Sequence, residues 1–311
     1  MKLREELNGY LRLPREFFAI PEADAIPDVG ILGVPYDMTS SYMPGCRFGP
    51  DAIRNATDGE RSHSYPLNIA GSSPGLPSLA KSITIEDIGD LEVIGQLPEN
   101  AKIDISEAAA KLSKHGTYLF FLGGDHFITY PLLKGTKRGR PGRYGLIYFD
   151  SHADYYEDYG GHSLSHATAL RRLVDEKIVS IDDIVAFDLR SALPEQREAL
   201  WASKPTGALT SDDFLKRLSE VESEVDMLYV SVDVDILDPS VFAASSHPES
   251  GGQMLLGLAS LLRKCFELGK VQFADIVEYN PLTDKTGAGA IAVRDIVKEV
   301  LTGFAIGKGL K

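Results

Sequence analysis

Short stretches of this chain are apolar almost without interruption: Val29 to Val34, Tyr118 to Leu122, Gly145 to Tyr148, Ile184 to Phe187, Met227 to Val232, and part of Val271 to Tyr279. A strand with one wet face alternates apolar and polar residues, whereas a strand covered on both faces reads as a continuous apolar run. Helical patterns lie between these runs. Pro50 opens one through Arg54, Ser106 precedes another at Glu107 to Leu112 with Gly116 as its stop, and Phe127 to Leu133 is a third. Ser165-His166 opens a helix through Arg172, and Ser211 caps one that begins at Asp212. Leu255 to Leu268 ends at Gly269, and Ile291 to Leu301 is the last. Strand-helix alternation of this kind predicts an α/β fold whose mostly parallel sheet carries helices on both sides. A further short strand is expected at Ile83 to Ile85. Residues 60–81, rich in Ser, Pro and Gly, read as irregular, and Lys134 to Arg143 as a solvated basic loop that matches neither phosphate-binding fingerprint. Residues 1–28 are expected to form an N-terminal arm, with Leu11 to Pro14 on the surface, and residues 29–311 one domain without repeats or linkers.

In sheets of this type ligands bind beyond the carboxyl ends of strands. Three apolar runs end in metal-binding side chains: His126, then Asp150, His152 and Asp154, then Asp233 and Asp235. If the three strands are neighbours, four carboxylates and two imidazoles meet at one rim. That is too many ligands for one small cation. It suits two divalent ions about 3.5–4 Å apart, which can activate a shared water and polarise a substrate. A carboxylate-rich set without thiolate favours manganese over zinc, with other divalent ions also accommodated.

Charge narrows the partners. The formal net charge of −13 argues against nucleic acid or an anionic membrane and favours a small cationic substrate. The cysteines, Cys46 and Cys265, form no CxxC pair, and no signal peptide or membrane-spanning run is read, so a reducing cytoplasm is expected.

Gly123-Gly124-Asp125-His126, Asp150-Ser151-His152-Ala153-Asp154 and Ser231-Val232-Asp233-Val234-Asp235, followed by Asp238-Pro239, resemble the three signatures of the ureohydrolases, the arginase/agmatinase family of binuclear manganese enzymes. Pro44 to Arg54 is similar to the family's N-terminal motif, and Val277-Glu278-Tyr279-Asn280-Pro281 to its late strand. The resemblance implies a three-layer α/β/α arginase-like fold and two Mn²⁺ per chain. One ion would be held by His126, Asp150, Asp154 and Asp233, the other by Asp150, His152, Asp233 and Asp235, with Asp150 and Asp233 shared. It implies attack of an activated water on a guanidinium carbon to give urea and an amine. Asp154 would orient that water, His166 would pass a proton to the leaving amine, and Glu249 would grip the guanidinium. It also implies a homo-oligomer, trimer or hexamer.

The chain departs from the family pattern at three points. Ser151 stands where Ala is usual, and Ala167 follows His166 where Gly is usual. Ser245-Ser246-His247-Pro248-Glu249 replaces the usual Thr-Gly-Thr-Pro-Glu beside the guanidinium site. The pattern resembles agmatinases more than arginases, so agmatine, cleaved to putrescine and urea, is the expected substrate. Glu157 and Asp158 either attract its distal ammonium or form a solvated acidic turn. Guanidinobutyrate, guanidinopropionate, arginine and guanidine are the alternative substrates. A metal-binding protein without activity is the alternative of another class.

Overall fold

The computed structural model describes residues 3–7, 17–18, 20, 23, 25–58, 62–69, 76–201 and 210–309. Among them the apolar runs become a seven-stranded sheet: β1 (Val29–Val34), β2 (Ile85–Asp90), β3 (Tyr118–Gly123), β4 (Tyr144–Phe149), β5 (Ile184–Phe187), β6 (Met227–Asp233) and β7 (Val271–Val277). The order is β2-β1-β3-β7-β6-β4-β5 and every pairing is parallel. The helices are α1 (Gly49–Thr57), α2 (Leu79–Ser82), α3 (Pro98–Leu112), α4 (Thr129–Gly139), α5 (Ala169–Asp175), α6 (Pro194–Trp201), α7 (Ser211–Glu224), α8 (Leu255–Glu267) and α9 (Ala288–Gly307).

The period-2 geometry of strands divides each run between two cores. Phe120 and Leu122 of β3, Ile147 and Phe149 of β4, and Val230 and Val232 of β6 face the layer formed by α1, α2, α7, α8 and α9. Leu119 and Phe121, Leu146 and Tyr148, and Tyr229 face α3 to α6. The expected three-layer α/β/α arrangement is therefore present, with a wholly parallel sheet.

Several boundaries differ from the sequence expectation. The edge strand is Ile85–Asp90, not Ile83 to Ile85. Its acids are tolerated because Arg54 of α1 donates to both carboxylate oxygens of Asp87 (2.8 Å each) and to Asp90. Helix α3 begins at Pro98, its proline in the first turn, so Ser106 is interior and not a start signal. Lys134 to Gly139 belong to α4 and not to a solvated loop. A Cβ on Gly135 would meet the Ser106 carbonyl at 2.3 Å, and one on Gly139 the Ala110 carbonyl at 2.2 Å, so these glycines let α3 and α4 pack close together. Residues 79–82 of the expected irregular stretch are helical, α9 is longer than expected at both ends, and α6 carries no signal strong enough to have been read. Leu11 to Pro14 lie outside the described residues. Leu3 and Leu7 are buried against β1 to β3 and α3, and the Leu3 amide donates to Glu86 of β2 at 2.6 Å. No helix among the described residues is long and apolar enough to cross a membrane.

Candidate active site

The carboxyl ends of β3, β7, β6 and β4 lie side by side, and each delivers a side chain to the same place. The strands bearing the sequence candidates are not all neighbours, because β7 lies between β3 and β6. The strand that intervenes contributes Glu278 just past its end.

His126 begins a single helical turn after β3 and is fully buried. Its Nδ1 lies 3.0 Å from Asp150 Oδ2, 3.2 Å from Asp154 Oδ2 and 3.3 Å from Asp233 Oδ2. Its Nε2 lies 2.9 Å from Ser231 Oγ, and Ser231 donates its own hydrogen to buried Asp275 at 2.6 Å. Ser231 therefore accepts the Nε2 proton of His126. A neutral imidazole then presents its Nδ1 lone pair to three carboxylate oxygens, an arrangement that calls for a cation among them. Tyr148 stacks on the ring at 4.8 Å and donates to Asp154 Oδ2 at 3.1 Å. Asp150 Oδ2 is buried, and no hydroxyl or amide of the described residues donates to it.

A second group adjoins the first through Asp150. His152 Nδ1 is 2.8 Å from Asp235 Oδ2 and 3.6 Å from Asp150 Oδ1. Ser151 donates from both its amide (3.1 Å) and its hydroxyl (2.8 Å) to Asp235 Oδ1, which leaves Oδ2 for the centre. The Asp235 amide donates to Asp233 Oδ1 at 2.8 Å. His126, Asp150 and Asp154, and likewise Asp150, His152 and Asp235, hold their ligand atoms within 4.8 Å of one another. The donor set thus fits two divalent cations, with Asp150 common to both.

The electrostatics of the crowded carboxylates are those of a centre built for positive charge. Burial, then Asp235 and Asp150, push the Asp233 carboxyl well above its ordinary range. Without a cation, burial pulls the His126 pKa down, but its bonds to Asp150, Asp154 and Asp233 outweigh that and raise it; a cation among the three carboxylates would take the place of the Nδ1 proton.

His166 follows Ser165, whose side chain and that of Thr168 form a reciprocal capping box at the start of the turn leading into α5. Its Nδ1 donates to the Thr39 carbonyl at 2.6 Å, and its amide donates to Thr39 Oγ1 at 2.9 Å. Its Nε2 faces Ser41 Oγ at 3.4 Å, on the wall of the cavity above the carboxylates. Burial pushes its pKa down, against the pull of Asp154, and so favours the neutral ring. Glu249 stands at the rim, accepts from Ser191 Oγ at 2.7 Å, and lies 3.6 Å from His152 Nε2.

Glu278 was not among the sequence candidates. It is buried, lines the cavity, and sits in a left-handed backbone conformation (φ 64°). It accepts the His126 amide at 2.8 Å and faces Cys46 Sγ at 3.5 Å. Burial and nearby Asp125 push it up to about 8. Asp125, which accepts from Thr39, rises to about 7 through burial and Asp37.

His247, within the divergent segment Ser245 to Glu249, stacks on His166 at 5.3 Å and lies 3.2 Å from Ser41 Oγ. Glu157 and Asp158 are exposed and do not line the cavity; Asp158 accepts the Gly161 amide at 3.1 Å.

Comparison with known proteins agrees with this arrangement. The family model for the arginase family matches residues 27–303. The agmatinase of Bacillus subtilis is 29% identical over 91% of this chain and 92% of its own. The guanidinobutyrase of Pseudomonas aeruginosa is 31% identical over 90% of this chain and 87% of its own. The solved structure of proclavaminate amidino hydrolase from Streptomyces clavuligerus superposes with a TM-score of 0.77 at 26% identity, covering 95% of this chain and 98% of that one.

Proposed function

The chain belongs to the arginase family, binuclear-metal hydrolases of guanidino and amidine C–N bonds, and on that premise we propose that its substrate is agmatine, cleaved to putrescine and urea with two Mn²⁺. One observation carries the choice of substrate. Among the described residues, no lysine or arginine lines the cavity above the carboxylates. A guanidino acid would bring a carboxylate tail into a site that offers it no counter-ion. Agmatine brings a second cation, which a strongly acidic protein favours.

His126, Asp150, Asp154 and Asp233 would hold one ion, and Asp150, His152, Asp233 and Asp235 the other. Bound there, the ions would supply an activated water and charge stabilisation at the guanidinium carbon. The chain's own residues do the rest. A guanidinium is a planar donor that requires carboxylate acceptors. Glu278, ionised once bound cations and the guanidinium replace its proton, would offer one at the floor of the cavity, and Glu249 one at its rim. His166 has its Nδ1 proton committed to Thr39, so proton transfer to the leaving amine runs through Nε2, which faces the cavity. We place the protein in the cytoplasm on its cysteine usage and, on family resemblance, as a homo-oligomer, trimer or hexamer; light scattering checks the assembly.

The guanidinobutyrase likeness supports a second reading, hydrolysis of a guanidino acid. Urea release from manganese-reconstituted protein separates the two across agmatine, guanidinobutyrate, guanidinopropionate, arginine and guanidine. The expected result is the highest kcat/KM on agmatine with two ions per chain by elemental analysis. A higher kcat/KM on guanidinobutyrate overturns the choice of substrate, and one ion or none overturns the metal count.

A further inference from the structure

Aromatic rings border the cavity in an unbroken arc. Tyr42 lies 6.0 Å from His247, His247 lies 5.3 Å from His166, His166 lies 5.6 Å from Tyr159, and Tyr159 lies 5.4 Å from Tyr156, ring centre to ring centre. Tyr156, Tyr159, His166 and His247 also line the cavity. The arc is firmly based on one side. The Met43 carbonyl accepts from Asn280 Nδ2 at 2.7 Å and from Ser246 Oγ at 2.9 Å, which ties the loop of Tyr42 to that of His247. On the other side, reciprocal backbone bonds between Tyr159 and His162 (2.9 and 3.2 Å) close a tight turn through Gly160 and Gly161, both at positive φ.

The cavity beneath the arc is only about 140 Å³. Tyr156, Tyr159, His166 and His247 line that space together with the carboxylates, so the chain of a linear guanidino compound seated over the carboxylates lies against the rings. The carboxylates of the wall, Asp154, Asp233, Asp235 and Glu278, are assigned to the ions and the guanidinium, and Glu157, Asp158 and Glu195 are exposed. A distal ammonium beside Tyr156 and Tyr159 meets aromatic rings, whose faces attract cations, repel carboxylates and give a neutral alkyl chain contact alone.

We infer that the aromatic arc is the site's tail-reading element: it holds the distal cation of an aminoalkylguanidine against Tyr159 and Tyr156, with His247 completing the arc. The inference rests on the guanidino-hydrolase reading above, because it takes the guanidinium to be seated beneath the rings.

The test pairs agmatine with N-butylguanidine, which has the same head and carbon chain without the ammonium. With metal-reconstituted wild type, KM for butylguanidine should exceed that for agmatine by about tenfold. In Tyr159→Leu with Tyr156→Leu the ratio should fall toward one, through a higher KM for agmatine at nearly unchanged kcat. In Tyr159→Phe with Tyr156→Phe, which keep the ring faces, the ratio should persist. A ratio unmoved by the leucine variants overturns the inference. So does a ratio that collapses in Glu157→Gln with Asp158→Asn, which would assign the ammonium to the acidic turn. If wild type releases urea from neither compound, the proposed function fails. Calorimetric titration of the same two compounds into the same variants then decides the arc by the same ratio, read in Kd.

Discussion

The bond from His166 Nδ1 to the Thr39 carbonyl fixes which nitrogen can move a proton, and so makes the residue's role testable. His166→Ala should lower turnover by roughly 10²–10⁴. Metal content and melting temperature should hold, because the side chain is outside both ligand groups, and added imidazole should restore part of the rate. Loss of an ion would make it a ligand, and loss of stability without rescue would make it structural. The two carboxylates assigned to the guanidinium are separated in the same way. Glu278→Gln, at the buried floor, should reduce kcat/KM by about 10² or more, and Glu249→Gln, at the half-exposed rim, by about tenfold or less, because a charge-assisted bond is stronger where water is excluded. The reverse order would return the guanidinium to Glu249. The candidate ligands were legible in the sequence because each lies within a few residues of an apolar strand run. Glu278 was not singled out: it is a lone acid after a strand, its partners Cys46 and Asp125 are distant in sequence, and its left-handed backbone leaves no compositional trace.

At the scale of elements, the strands were more legible than the helices that cover them. A run such as β4 is apolar at every position because both of its faces are covered, and nothing nearby competes with that pattern. Helix α4 was read as ending at Leu133 because Lys134 to Gly139 combine basic residues with glycine, which locally signal a loop. Tertiary packing overrides the signal: Gly135 meets the backbone of α3 so closely that no larger residue fits. Gly135→Ala should therefore cost about 1–3 kcal/mol through overpacking against the Ser106 carbonyl, measured as a lower urea midpoint at unchanged slope. Gly257→Ala, on the exposed face of α8 with only Gln253 at 3.9 Å, should instead be neutral or stabilise by up to about 1 kcal/mol. Equal losses at both positions would mean that glycine's freedom in the unfolded chain, and not the α3–α4 contact, sets the cost. β2 was misplaced for a related reason. Acids depress strand propensity, and the Arg54 that compensates them comes from α1, 33 residues away from Asp87.

The whole molecule carries its acidity inward as well as outward. Asp125, Asp233 and Glu278 are buried at one end of the sheet, and all are pushed above their ordinary carboxylate ranges, Asp125 to about 7 and Glu278 to about 8. In the unfolded chain the same groups titrate near 4. Without metal, the folded state therefore binds more protons than the unfolded state between about pH 4 and pH 8. The slope of stability with pH takes the sign of unfolded minus folded protons, which is negative across that interval. Stability contributed by these groups is present below about pH 4 and is lost as pH rises through 7 and 8. His126, raised by its carboxylate neighbours, acts in the same direction above its unfolded value. Asp235, lowered by His152 against the pull of burial, acts oppositely below about pH 4, and His166 and His247, lowered by burial, act oppositely just below the ordinary histidine range. Divalent cations would replace the protons on Asp233 and His126 and bind the folded state alone, so their contribution grows as those protons leave. Metal-free protein should therefore melt at progressively lower temperature from pH 5 to pH 8, by an amount corresponding to a few kcal/mol. The gain on adding Mn²⁺ should widen over the same interval. Thermal melts at matched ionic strength, with and without the metal, measure both curves. A metal-free melting temperature that stays level or rises toward pH 8 would mean that these carboxyls ionise in the folded chain without help, and that the cluster is held by hydrogen bonds and not by the cations proposed for it.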